Sequence, residues 1–504
     1  MKKFKFFLPL CILLAGYLLT GCNNTSNSKT VDTVTDTKIT DIQATSKSKE
    51  ALAFIQEGMN LLDMGDVKNA RISFSKAIEQ DPQLGLAYLM RANTATSAKQ
   101  FAADIEKGKA NVASASPWEK MYAEYLATNL TDDRDRGIEI AQKMAADNPD
   151  AARAQVELGN AYNGNNQFDK AREAYEKAIQ LNPAWVGGYN GLSSSYLFNE
   201  PKDLKKAEEN ALKMISMAPK SPGSQIVLGD VYRAQNDFVK AKEAYAKAVQ
   251  LNTTLPEAYY KLGHANTYLG NLEEARKNYA DGGINDVSKV GSILNTAYTY
   301  LYAGDQKAAI KYLMNEMTKM ETSASKETIA NEKNTILNTI AAVAVHIGDA
   351  STLKQVEPML NATSTQITMD LGNTPEAKLF GTADSLRWQA MIAMTEAKYD
   401  VAKNREETMK TVIQPLKDSR KMEGYYGDMG MINMREKKYA EAISNFEKGD
   451  PNSIYNKFLL AKANEAAGNK DKAMSLYKEV AAHNFNDVGN ALVRNEVKKK
   501  LAMP

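Results

Sequence analysis

The sequence predicts an all-α protein, a right-handed solenoid built from antiparallel helix hairpins. Three observations predict it. Two segments, Glu157–Pro183 and Val227–Asn252, share one pattern of small and aromatic residues, and weaker copies flank them, which is how a repeat architecture announces itself. Each copy reads as two helices whose apolar stripes cannot be covered within a single unit, so neighbouring units must stack. Finally, Cys11 and Cys22 are the only cysteines in 504 residues, so the 43% hydrophobic chain must be held by buried apolar area and not by disulfides.

In chain order, Lys2, Lys3 and Lys5 precede an apolar run from Phe6 to Leu19. This is the layout of a secretory signal, assigned to residues 1–21. The run is shorter than the roughly 20 residues a helix needs to cross a bilayer, so it reads as removable. Leu19, Thr20, Gly21 and Cys22 resemble the bacterial lipobox. The resemblance implies cleavage before Cys22, a diacylglycerol on its sulfur and acylation of the new amino group. Several chains give a stable anchor where one is marginal. It also implies a lipid-anchored place in the bacterial cell envelope, with the outer membrane favoured. Residues 22–49, rich in Asn, Thr, Ser, Lys and Asp without a helical period, read as a flexible tether.

Residues 50–320 form an N-terminal array. Gly58, Ala70, Phe74, Ala77 and Pro82 open it, with Leu61 where later copies have tyrosine. From Leu86 to Asn148 the period is helical but diluted, and Ser116–Lys120 reads as a cap followed by a helix start. The best copies contain Leu158, Gly159, Tyr162, Ala171, Tyr175, Ala178 and Pro183, then Leu228, Gly229, Tyr232, Ala241, Tyr245 and Ala248. Between them Leu192, Tyr196, Ala207, Ala211 and Pro219 form a unit with a lengthened turn. Leu262, Gly263, Ala275 and Tyr279 mark the next, and Tyr300, Gly304 and Ala309 a further one. Small residues such as Gly159 and Ala171 suit close helix crossings, the tyrosines fill wider gaps, and Pro183 ends its helix.

Residues 321–416 read as divergent helical hairpins, including Ile340–Asp349 and Ser385–Asp400, with the polar stretch Asn361–Asn373 predicted as a hinge. Residues 417–504 return to the pattern with Gly430, Ala442 and Phe446, then Leu460, Ala461, Ala473 and Tyr477. Asn486–Ala502 reads as a capping helix whose Lys498, Lys499 and Lys500 complement its dipole.

These spacings resemble the tetratricopeptide repeat. The resemblance implies a concave face on which partner peptides lie along the first helices of successive units. Aligned by the signature glycine, the inward positions here are Asn160 and Asn163; Asn190, Ser194 and Phe198; Asp230 and Arg233; Tyr260, His264 and Tyr268; and Tyr298 and Tyr302. Carboxamides can pair with both groups of an extended peptide bond, and tyrosines offer rigid contact area. The chain departs from the clamp that captures a terminal carboxylate, because Val156, Gly191, Gly223 and Val227 occupy four of its positions.

No reactive constellation accompanies this strip. His264, His346 and His483 lie far apart and outside metal-ligand spacings, and there is no nucleophile elbow or phosphate loop. No catalytic residue, metal or cofactor is therefore expected. The chain carries 63 Lys and Arg against 61 Asp and Glu, with Lys2, Lys3 and Lys5 in the leader, so no basic excess points to nucleic acid. The expected function is that of a non-enzymatic, membrane-anchored scaffold for a protein or peptide partner, serving assembly, pilus or secretion support. A glycan-capturing lipoprotein resembling the starch-binding class, or an accessory to a cell-wall enzyme, are the alternatives.

Overall fold

The computed structural model describes residues 44–502, apart from 64–65, 287, 321–325 and the side chains of 326–329. The signal segment, Cys22 and most of the tether lie outside the described residues. Those residues form 25 α-helices and no strand.

The first eight pairs are short hairpins. They are α1 (Lys49–Asp63) with α2 (Val67–Gln80), α3 (Gly85–Ala92) with α4 (Ala98–Asn111), α5 (Pro117–Thr131) with α6 (Arg134–Asp147), and α7 (Ala152–Gly164) with α8 (Phe168–Leu181). Then come α9 (Val186–Phe198) with α10 (Leu204–Met217), α11 (Pro222–Ala234) with α12 (Phe238–Leu251), α13 (Pro256–Tyr268) with α14 (Leu272–Asn285), and α15 (Val290–Tyr302) with α16 (Gln306–Met320). The middle is built of longer helices, α17 (Lys326–Ile347) with α18 (Ala350–Asp370) and α19 (Pro375–Thr395) with α20 (Tyr399–Ile413). Short hairpins resume with α21 (Glu423–Arg435) and α22 (Tyr439–Lys448), then α23 (Ile454–Ala466) and α24 (Lys470–Ala481), and α25 (Val488–Lys500) ends the array.

Local chemistry sets these boundaries. Asp66, Asp133, Asp203 and Asp237 cap α2, α6, α10 and α12, each accepting from the backbone N–H three residues on. Ser116 and Glu119 satisfy each other's orphan backbone donors in a capping box, with Pro117 at the first helical position of α5. A repeated close approach joins the two helices of five hairpins. Gly58 meets the ring of Phe74, Gly159 Tyr175, Gly229 Tyr245, Gly263 Tyr279 and Gly430 Phe446, and a Cβ at any of these glycines would lie 2.4–2.5 Å from a ring carbon. Because interiors are close-packed, no other residue fits there without displacing the ring.

The hinge predicted at Asn361–Asn373 is not a break: α18 runs through it to Asp370. The hydroxyls of Thr363, Thr365 and Thr368 donate to the carbonyls of Met359, Asn361 and Ser364, four residues back, so this polar sequence is satisfied by its own helix. The turn is confined to Leu371–Asn373, where Gly372 and Asn373 adopt φ of +75° and +55°.

The solenoid coils far enough for its later hairpins to meet its earlier ones. Ser419 donates to Asp135, 284 residues away, and Asn452 Nδ2 to Asn166 Oδ1, 286 residues away. Arg134 lies 3.6 Å from Asp418, and Arg420 donates to the Gly164 carbonyl. An apolar contact accompanies them, with Ala98 of α4 packed among Ala330, Ile367, Leu371 and Ala377. At about 34 residues per repeat the separation corresponds to about eight hairpins. The second coil thus rests on the first. No helix among the described residues is long and apolar enough to cross a membrane.

Candidate functional site

The inner face is carried by the first helix of each hairpin, and three kinds of contact occupy the residues expected to line it. The first lies inside single hairpins. Tyr175 donates to Asn160 Oδ1 at 2.9 Å and Tyr245 to Asp230 Oδ1 at 2.5 Å, while the Tyr279 hydroxyl lies 3.0 Å from His264 Nδ1. Each of these partners directly follows the glycine that receives the ring. Where the ring is phenylalanine, the residue after the glycine is Met59 or Met431. The inward position therefore tracks whether the facing ring carries a hydroxyl, because a buried O–H needs a polar partner, which for Tyr279 includes the Thr267 hydroxyl at 2.9 Å as well as His264.

The second kind crosses between hairpins. Asn163 accepts from Asn199 across hairpins, whereas Ser194 donates to the buried Asn190 at 3.4 Å within α9 itself. Lys261 Nζ reaches Asp230 Oδ2 at 2.6 Å, with Arg233 also 3.1 Å from that carboxylate. Burial alone would raise the pKa of Asp230, but Lys261 and Arg233 outweigh it and hold the carboxyl below its ordinary value. Within the α13–α14 hairpin Tyr260 donates to Asp286, at the end of α14, and Tyr298 is buried in the core. Nearer the N-terminus, Arg153 binds Asp63 bidentately at 3.0 and 2.6 Å beneath the Trp185 ring, tying α1 to α7.

The third is the chain's own C-terminal segment. Residues 483–487, between α24 and α25, are not helical and cross the inner face of α9 to α15. Phe485 sits 4.5 Å from the Phe198 ring and 4.6 Å beneath the Arg233 guanidinium. Asn486 Nδ2 donates to His264 Nδ1 at 3.0 Å and Asn295 Oδ1 at 2.9 Å. Asn484 donates to Asn236, Asn490 to the Tyr268 hydroxyl, and Asn495 to the Tyr302 carbonyl. Arg494 lies over the Tyr268 ring, whose hydroxyl is 3.3 Å from that of Tyr302. Burial, with Arg233 and Lys261 nearby, holds His264 well below its ordinary pKa, leaving it neutral and able to accept from Asn486.

The structure thus brings Phe198, Arg233, His264, Tyr268 and Tyr302 together around one ligand-like segment, whereas Asn160, Asn163, Asn190 and Ser194 serve contacts between and within α7 to α9. Sequence reasoning missed Asn484, Phe485, Asn486 and Asn490. Their signal was a carboxamide-aromatic-carboxamide run in a turn, where polar residues are ordinarily solvated.

A separate charged cluster is buried between α19, α20 and α21. Arg387 binds Asp428 through Nε at 2.6 Å and Nη2 at 3.2 Å. Glu406 is fully buried with neither carboxylate oxygen hydrogen-bonded, and its pKa is raised well above the ordinary value by burial and by Asp428. Burial pushes Asp384 up to about 7 against the opposing pull of Arg387. Among the described residues no group of three or more His, Cys, Asp or Glu converges as a metal ion would require.

Models of the tetratricopeptide repeat match residues 51–84, 152–184 and 256–281, and a TPR repeat model matches 229–267. The chain is similar to the human protein O-mannosyl-transferase TMTC3, 29% identical over 143 residues, which is 26% of this chain and 16% of that protein; the likeness is one of repeat regions. Among solved structures, a thermophilic TPR protein of Thermus thermophilus is 19% identical, covering 36% of this chain and 99% of that one at a TM-score of 0.33. A tetratricopeptide repeat protein from Parabacteroides merdae is 11% identical, covering 57% of this chain and all of that one at 0.34. The chain is a helical-repeat solenoid that carries tetratricopeptide repeats within residues 51–84, 152–184 and 229–281.

Proposed function

We propose that the protein is a non-catalytic scaffold of the bacterial cell envelope, anchored by lipid on Cys22 and binding a protein or peptide segment along the inner face of its repeats. The observation that carries this reading is that the face from Phe198 to Tyr302 already holds a protein segment, the non-helical residues 483–487 leading into α25, through a tilted aromatic contact and side-chain carboxamides. Tetratricopeptide repeats suggest a protein-interaction role. The Leu19–Cys22 motif supports the anchor, and the outer membrane is the favoured location.

Two experiments test the reading. Cys22→Ser should abolish lipid labelling and release the protein from membranes; a variant still labelled and still pelleting with membranes removes the anchor. Photocrosslinking in intact cells from position 194, half-buried on the inner face, should capture a discrete protein that is not captured from position 177 on the exposed face of α8. Equal capture from both positions, or none from 194, removes the scaffold reading.

A further inference from the structure

Resting on the scaffold reading, we propose that residues 483–495, the non-helical crossing and the first turns of α25, are a built-in ligand of the groove, and that the external partner is a segment of the same chemistry, an aromatic side chain flanked by carboxamides, which binds by displacing it.

The groove selects for that chemistry. Phe485 lies between the Phe198 ring and the Arg233 guanidinium, a site for a flat apolar group with a cation on one face. On either side, the groove offers acceptors to carboxamide N–H groups: Asn236 Oδ1 before the ring, His264 Nδ1 and Asn295 Oδ1 after it, and the Tyr268 hydroxyl beyond. These acceptors come from the turn after α11 and from α13 and α15, so only a segment running across successive hairpins meets them all.

The internal occupant also fits imperfectly. The carboxamide oxygens of Asn484, Asn486 and Asn490 are buried without a hydrogen bond, as are Nε and Nη1 of Arg233, whose side chain is 2% exposed. Each unmet group weakens the docked state relative to one in which it is paired. An incoming segment that places a carbonyl or carboxylate against the free edge of Arg233 gains what residues 483–495 leave unmet. The occupant is also covalently attached, which raises its effective concentration and lets an imperfect fit keep the groove closed until a better ligand arrives.

The test uses the full chain and a fluorescein-labelled synthetic peptide of residues 482–495. In the unmodified protein the groove is occupied and the peptide should bind weakly. A full chain carrying Phe485→Ala and Asn490→Ala should lose amide protection at Val488–Lys500 and bind the peptide about ten-fold more tightly, because the competent state becomes populated. Adding Phe198→Ala should return the affinity to that of the unmodified chain. Equal binding by unmodified and double-variant chains, a double variant that loses this protection without gaining affinity, or unchanged protection each overturns the proposal. A second measurement needs no variant: excess peptide added to the unmodified protein should speed exchange at Val488–Lys500, and no change there overturns the proposal whatever the variants do. Peptide binding without any crosslinked cellular partner leaves the built-in-ligand assignment standing and removes the scaffold reading with its external partner, so the two failures are distinguishable.

Discussion

The correlation between the residue after the signature glycine and the hydroxyl it faces can be tested by exchanging both. In the α7–α8 hairpin, Tyr175 is 3% exposed and its hydroxyl donates to Asn160 at 2.9 Å. Asn160→Met alone strands that hydroxyl beneath Gly159, which costs about 1–3 kcal/mol for an unsatisfied buried donor. Tyr175→Phe alone removes the donor, and the half-buried Asn160 can turn to water, so about 0.5–1.5 kcal/mol is lost. The double variant recreates the Gly58-Met59-Phe74 and Gly430-Met431-Phe446 arrangements and should approach wild-type stability. The cycle therefore predicts a favourable coupling close to the sum of the single losses, about 1.5–4.5 kcal/mol, well above the additivity error for independent sites. Hydrogen exchange of the α7 and α8 amides is the appropriate assay, since repeat units open locally. Single losses that simply add in the double variant would refute the pairing rule.

Other outcomes follow from the same geometry. Gly159→Ala should destabilise its hairpin by about 1–3 kcal/mol through overpacking against Tyr175, whereas Gly164→Ala, with nothing within 4 Å of the added methyl, should be neutral or stabilising by up to about 1 kcal/mol; similar exchange rates in both would contradict the packing. Asp384 has its folded pKa raised to about 7, so the unfolded chain releases this proton first and stability falls as pH rises from about 4 to about 7. Asp384→Asn should remove that decline, worth roughly 4 kcal/mol by the shift, and a melting-temperature difference from wild type that is constant between about pH 4 and pH 8 would be the contrary result. Ala98→Glu places a carboxylate in the inter-coil apolar contact while suiting the first turn of α4. Small-angle scattering should show an expanded particle with α4 protection retained; an unchanged radius would mean that the contact does not hold the coils.

Much of the hairpin pattern was legible because the glycine, alanine and aromatic positions are dictated by helix crossings that recur identically. Gly159 and Gly229 need the same space for the same reason, so one copy teaches the next. The divergent middle was harder because its helices are longer, and a run such as Asn361–Thr368 looks like a loop until each threonine is seen to bond within its own helix. The groove was legible in its positions but not in its occupancy. Asn160, Asp230 and His264 were placed by alignment, yet their hydroxyl partners lie on the following helix, which becomes apparent only when Phe repeats are compared with Tyr repeats. Phe485 and its flanking asparagines carry no periodicity, and their destination is set by coiling that brings residues 222 and 248 positions apart together.

That coiling bears on how the molecule carries load. An open helical spring yields to a small pull because its coils are free to separate, and strain spreads evenly along it. Here Asn166 grips Asn452, Gly164 takes Arg420, and Ala98 beds into Ile367 and Leu371, so the spring is wound shut. Tension along its axis must first break these lateral fastenings, and the extension curve should start steep, give way at a threshold, and only then become soft.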